Sequence, residues 1–217
     1  MIKFRCSSLG KIMTDPRTKS EGVLSVGAKT YIRELVANFI FGVSFRVSSK
    51  AMEKGDECEQ QAIDLLNRVR CLNLEKNTER KTNDWLTGEC DAYDPAKKHG
   101  YDTKCSWSVA TFPITEKDAE DKGYWWQMQG YMMLWGADTW EVDYVLLDTP
   151  EHLIGYEAKD LHIVSHIPEH HRLTSWHIER DEEAQAKIVE KCQAAQAYCA
   201  EVLAEFDATH IQHTPEF

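Results

Sequence analysis

The stretch Leu86–Ser106 reads LTGECDAYDPAKKHGYDTKCS. It carries Asp91, Asp102 and Lys104. Between the aspartates lies DPAKKHG, where Asp94, Pro95 and Gly100 predict a tight reversal. The flanking runs, Trp85–Thr87 and Gly100–Asp102, read as strands. The resulting hairpin brings Asp91 close to Asp102. Strand side chains repeat every second residue, so Lys104 points the same way as Asp102. Carboxylates and a lysine at this spacing suit a divalent metal and an activated water.

Upstream, residues 26–41 have helical spacing, with Tyr31, Leu35 and Phe39 on one side and Ile32, Val36 and Ile40 beside them. This predicts a largely buried helix that stops at Gly42. Residues 51–70 form a second amphipathic helix through Ala62, Ile63, Leu66 and Val69. Glu59 lies three and four positions before Ala62 and Ile63, on the inward face. A carboxylate there is costly unless paired or metal-bound; the plainer reading is a helix-end acid reaching water. Residues 71–84 read as a polar link.

Downstream, residues 107–122 read as a loop and short helix, and 123–136, GYWWQMQGYMMLWG, as a helix. Gln127 and Tyr131 stack one turn apart on it, and Gly130 predicts a close backbone approach. A buried Gln127 amide needs partners. Residues 139–148 alternate as a strand, and LIGYEA and LHIVSHI, within 153–167, are read as one or two more. The histidines at 162, 166, 170 and 171 read as surface or strand residues rather than metal ligands. The C-terminal helix, about 181–206 within a segment 178–208, has a seam of Ile188, Cys192, Ala195, Cys199, Val202 and Phe206. It packs on the body or on another subunit.

Length and composition bound these readings. The 217 residues suffice for one domain with a substantial core, and the expectation is a single domain over 1–217. No apolar run approaches the roughly 20 residues of a membrane span, and the polar N-terminus is unlike a secretory signal. Seven cysteines with no CxxC pair exclude a zinc ribbon and point to a reducing cytoplasm. The net charge of −11 argues mildly against a nucleic-acid partner. The distribution tempers this, because residues 3–19 are locally basic. There, Arg5, Ser7, Ser8, Gly10 and Lys11 form a mixture able to cradle phosphate, or simply a loop entering a helix.

Taken in order, Glu59 on a helix, Asp91 and Asp102-Thr103-Lys104 on a hairpin, and Gln127 and Tyr131 on a helix resemble the PD-(D/E)xK nucleases. The likeness is strongest to their phage lambda-type exonuclease branch, the viral recombinase exonucleases. GDECE matches that branch's first motif, GECDAY the segment of the first metal-binding aspartate, DTK the (D/E)xK tripeptide, and QMQGY the Q-x-x-x-Y motif. The match spans roughly residues 51–150. Cys90 replaces the usual proline, and Asp102 stands where the branch usually has Glu.

The resemblance implies an α+β, restriction-endonuclease-like fold with a central mixed sheet flanked by helices. It implies a Mg²⁺-dependent exonuclease, with Mn²⁺ able to substitute, digesting linear double-stranded DNA from 5′ to 3′ in phage recombination. Asp91, Asp102 and the Thr103 carbonyl would hold the metal, and Glu59 a metal-bound water or second ion. Lys104 would orient the attacking water or, with a depressed pKa, deprotonate it. Gln127 and Tyr131 would hold Lys104 or the nucleophile, and Arg5, Ser7 and Ser8 a 5′ phosphate. Implied partners are DNA ends, a single-strand annealing protein and two further copies in a trimer. The implied setting is the bacterial cytoplasm, with a phage-encoded chain. The rival readings are a structure-specific or restriction-type endonuclease, and a non-catalytic DNA-binding relic.

Overall fold

The computed structural model describes residues 2–43 and 48–211. Its strands are β1 (Phe4–Arg5), β2 (Lys81–Thr82), β3 (Leu86–Gly88), β4 (Ala92–Asp94), β5 (His99–Cys105), β6 (Thr139–Val145) and β7 (Leu173–Glu179). The helices are α1 (Leu9–Ile12), α2 (Val26–Phe41), α3 (Lys50–Arg70), α4 (Glu116–Ala119), α5 (Lys122–Trp135), α6 (Glu151–Ile154) and α7 (Glu182–Ile211).

The strands form a small sheet, ordered β1-β3-β2, and a larger one, ordered β4-β5-β6-β7. In the larger sheet β5 and β6 run parallel, with Asp102 opposite Val142 and Thr103 opposite Asp143, while β4 and β7 add antiparallel edges. This mixed sheet with helices on its faces is the predicted α+β class. The parallel β5–β6 pair requires a crossover, and the segment containing α5 provides it. The Trp140, Val142 and Met128 side chains meet in the main core, while Cys58, Ala62, Leu65, Val145 and Leu147 pack on the other face.

The hairpin forms, but not from the expected runs. Its first strand is β4, and Leu86–Gly88 belongs to the small sheet, pairing in parallel with β1. The reversal uses Asp94, whose Oδ1 accepts from the amides of Ala96 and Lys97, and Lys98 in a left-handed conformation. Gly100 lies inside β5, not in the turn, beneath the Trp140 indole. Within the polar link, Lys81–Thr82 forms a strand edge. The N-terminal segment packs into the body, with Phe4, Cys6, Leu9, Ile12 and Met13 all buried in the main core.

Helices α2, α3, α5 and α7 match the apolar spacing. α2 buries only Ala28, Ile32 and Val36, and Phe39 is 66% exposed, so it is a half-buried surface helix rather than a core helix. The α7 seam from Ile188 to Val202 packs on the body, against α1, α2 and α5. At Gly130 a Cβ would lie 2.6 Å from the Leu9 side chain, so glycine is what lets α5 meet α1 closely.

Residues 153–167 contain no strand. α6 and short turns replace the expected pair, and the last strand is β7, which the histidine-rich reading passed over. His162 is fully buried, not a surface residue: Nδ1 pairs with Thr149 Oγ1 at 3.0 Å and Nε2 with Glu157 Oε2 at 3.1 Å. Among the described residues, no helix is long and apolar enough to cross a membrane.

Candidate active site

Strand β5 presents Asp102 and Lys104 on one face, as its alternation dictates, and their side chains form an ion pair. Asp102 is buried at 1% exposure. Its Oδ1 accepts from Gln127 Nε2 at 3.4 Å, while its Oδ2 has no hydrogen-bond donor beyond the Lys104 ammonium beside it. Asp91, just before β4, reaches across to the same strand. Its Oδ2 accepts from the Thr103 amide at 2.6 Å and the Thr103 hydroxyl at 2.9 Å. A strand residue's N–H and C=O leave the same edge, so the Thr103 carbonyl also lies on the Asp91 side.

Helix α5 places Gln127 and Tyr131 one turn apart behind Asp102. Gln127 Nε2 donates to Tyr131 Oη at 3.2 Å, and Tyr131 Oη donates to the Glu89 carbonyl at 2.8 Å. The aromatic ring of Tyr131 lies against Gly88, where a Cβ would be 2.7 Å from Cε1. A bare backbone at 88 therefore lets Tyr131 reach the chain two residues before Asp91. Gln127, expected to hold Lys104 or the nucleophile, hydrogen-bonds Asp102, and Lys104 is covered by Tyr124, with Nζ 4.8 Å from the ring centroid.

Complete burial pushes the Asp102 carboxyl above its ordinary value, against the pull of Lys104. Burial pulls the Lys104 ammonium down, but the charges of Asp102 and Asp91 outweigh it and hold the pKa above the ordinary lysine value. The expectation allowed Lys104 either to orient a water or, with a depressed pKa, to deprotonate it; the two neighbouring carboxylates favour its charged form.

Glu59, Asp91, Thr103 and Lys104 line one cleft of about 540 Å³, along with Asp56, Trp107, Tyr124 and Tyr144. Glu59 faces this cleft but is ion-paired with Lys76 at 2.5 Å. Arg5, Ser7 and Ser8 are not among the cleft residues. Lys11 Nζ lies 4.8 Å from the Tyr31 ring, and Arg5 sits in β1 opposite Thr87.

The sequence reading missed Lys54. It is fully buried, and Nζ donates to the carbonyls of Ser106, Trp107 and Leu147 at 2.8, 3.0 and 2.8 Å. These carbonyls lie where the chain leaves β5 and β6, so the ammonium pins the strand ends to α3. The signal was available: Lys54, Cys58 and Ala62 fall on one apolar stripe at four-residue steps.

Among the described residues, no group of three or more His, Cys, Asp or Glu side chains is arranged to hold a metal.

The chain matches a crystal structure of a phage-related exonuclease from Haemophilus somnus 129PT at 42% identity, with 94% of this chain and 96% of that one covered and a TM-score of 0.89. It belongs to the phage lambda-type exonuclease family of PD-(D/E)xK nucleases. The nuclease shares its fold with LHK-Exo, an alkaline exonuclease from Laribacter hongkongensis. That match has 20% identity, covers 97% and 92% of the two chains, and has a TM-score of 0.66. The LHK-Exo complex with dAMP matches at 19% identity over 98% and 95% of the chains, with a TM-score of 0.70. No protein-family model and no curated protein matches the nuclease.

Proposed function

We propose that the chain is a Mg²⁺-dependent exonuclease that hydrolyses phosphodiester bonds of linear double-stranded DNA from 5′ to 3′, with Mn²⁺ able to replace Mg²⁺. The observation that carries this reading is the buried Asp102 carboxylate, with Oδ2 lacking any donor beyond Lys104, directly behind the cleft that Asp91, Thr103 and Lys104 line. The donor set fits the ion. Asp91, Asp102 and the Thr103 carbonyl offer only oxygen, and Mg²⁺ takes one or two carboxylates and keeps several waters.

When bound, Mg²⁺ supplies a Lewis acid for the phosphoryl oxygens and a water of lowered pKa. The chain's own groups do the rest. Asp91 is fixed by the Thr103 amide and hydroxyl, and Asp102 by Gln127, so neither carboxylate swings when substrate enters. Lys104 orients the attacking oxygen and opposes negative charge growing on the phosphate. Tyr124 roofs the ammonium and limits its range. Glu59 acts on a water only after exchanging Lys76, which gives it a conditional role. Arg5, Ser7 and Ser8 would bind the 5′ phosphate from outside the cleft. By resemblance, a trimeric ring and a single-strand annealing protein complete the assembly in a phage-infected cell.

The test is digestion of 5′- and 3′-end-labelled linear duplex with Mg²⁺, with and without a 5′ phosphate, beside closed circular DNA. Early loss of the 5′ label, dependence on Mg²⁺ and intact circles are the expected results. Cleaved circles would make the protein an endonuclease, and no cleavage of any substrate would sink the nuclease reading.

A further inference from the structure

The aromatic side chains that line the cleft, Trp107, Tyr124 and Tyr144, differ in what they touch. Tyr124 and Tyr144 meet edge-on, with ring centroids 6.4 Å apart, and Tyr124 also covers the Lys104 ammonium. Trp107 is half-buried, three positions past Lys104 in the chain. Its one ring partner among the described residues is His162, at 5.0 Å between centroids and 71° between planes. The indole is nonetheless fixed. Trp107 Nε1 donates to Glu157 Oε2 at 3.2 Å, and the same oxygen pairs with Nε2 of the buried His162 at 3.1 Å. The Trp107 carbonyl accepts from Lys54 Nζ at 3.0 Å and from Thr149 Oγ1 at 3.1 Å, and Thr149 Oγ1 pairs with His162 Nδ1 at 3.0 Å. Lys54, Thr149, Glu157 and His162 therefore hold the backbone and the ring of one tryptophan at the cleft wall. A side chain immobilised beforehand loses little freedom when a ligand lies on it.

We infer that Trp107 is a stacking platform for an unpaired nucleobase at the end of the strand being cut, an inference that rests on the proposed function. Inside a duplex both faces of a base are covered by its neighbours, so a flat side chain can lie only on a base that is terminal or taken out of the stack. The cleft, at about 540 Å³, falls in the range of roughly 300–1,000 Å³ that holds one small ligand, so it admits a short piece of strand and not a duplex. Every base has a π-face, so stacking on Trp107 grips the strand without selecting its sequence. Held there, the base fixes the register of the strand beside Lys104.

The test is a cycle between protein and DNA. Full-length protein is mixed with linear duplex in which an abasic residue replaces, in turn, each of the first few nucleotides from the 5′ end or from the 3′ end. Affinity is read by fluorescence anisotropy with Ca²⁺ in place of Mg²⁺, and digestion with Mg²⁺. Wild-type affinity should fall about 5- to 150-fold at one or two positions. Trp107→Ala should bind intact duplex more weakly by the same factor and show no further loss at those positions, and Trp107→Phe should restore most of the affinity. A tryptophan that serves only the fold would give the same abasic penalty in wild type and variant, or none at any position, and either result overturns the platform. If Trp107→Ala melts early, Glu157→Ala, at an exposed residue, removes the hydrogen bond of the indole and reads the same coupling. Its abasic penalty should shrink, and an unchanged penalty overturns the platform. Protein that binds and digests duplex with no abasic penalty counts against Trp107 alone. Coupling without digestion keeps the platform and counts against the nuclease reading, and protein that neither binds nor digests DNA overturns both.

Discussion

The two faces of the larger sheet each hold a fully buried aspartate beside a cation. On the face towards α5, Asp102 pairs with Lys104. On the face towards α3, Asp143, in register with Thr103 on the neighbouring strand, meets Arg70 at 3.4 Å and accepts from Ser175. Arg70 also pairs with Glu141, whose carboxylate lies 3.7 Å from both His99 and His177. Each aspartate keeps one oxygen without a hydrogen-bond donor. The difference lies in what surrounds them. Lys104, Thr103 and Asp91 open on a cleft, whereas Asp143 is closed over by Arg70, Ser175 and Glu141. A buried acid is therefore not a catalytic signal by itself; an acid whose neighbours reach solvent is.

If that distinction holds, substitutions on the two faces separate activity from stability. The largest effect is expected at the α5 face: Asp102→Asn, or Lys104→Met, should lower Mg²⁺-dependent digestion of linear duplex by roughly 100- to 1,000-fold or more. Either variant digesting at the wild-type rate would remove β5 from the reaction. On the α3 face, Arg70→Ala strands Asp143 and Glu141, and should cost on the order of 3 kcal/mol in urea unfolding. That is the low end for a buried pair, because the Arg70 side chain is 29% exposed. The folded fraction should still digest DNA normally; a selective loss of rate would blur the contrast between the faces.

The pH dependence of stability sharpens the same comparison. Burial raises the Asp143 carboxyl to about 6, with Arg70 opposing. The folded protein therefore binds this proton more tightly than the unfolded chain, and stability is lost as the group ionises. Relative to Asp143→Asn, the wild type should lose unfolding free energy between pH about 4 and about 6 and change little above that. Parallel urea curves for the two proteins would check this, and a wild type that gains stability relative to Asp143→Asn across that range would refute it. Glu141 behaves oppositely: burial raises its pKa, but His99 and Arg70 outweigh that and hold it at about 2, so its contribution persists until strong acid. The smallest effect is expected from Tyr131→Phe, which removes the donor to the Glu89 carbonyl and should cost about 1 kcal/mol. Its digestion rate should fall less than that of Asp102→Asn.

Much of the site could be read from local spacing. Asp102 and Lys104 share a face because strand side chains alternate, and Gln127 and Tyr131 share one because a helix turns every 3.6 residues. Gly130 announced its close packing by interrupting an apolar helix. The errors fell where partner choice is long-range. Leu86–Gly88 is a strand, as expected, yet its partner is Phe4–Arg5, more than 80 residues away. The histidine-rich segment had strand-like composition, but a buried His162 held by Thr149 and Glu157 folds it into turns.

By itself, the sequence determined the elements bearing Glu59, Asp91, Asp102, Lys104, Gln127 and Tyr131, and the order in which they occur, because backbone periodicity is local. It also determined the family through those motifs. Only the tertiary structure decided which groups touch: Gln127 on Asp102 rather than Lys104, Tyr124 over the lysine, Glu59 paired with Lys76, and Lys54 tied to three carbonyls. Those contacts depend on how α3 and α5 sit across the sheet. That placement is set by whole-core packing and by the cost of leaving buried charge unpaired. No spacing along one segment encodes either.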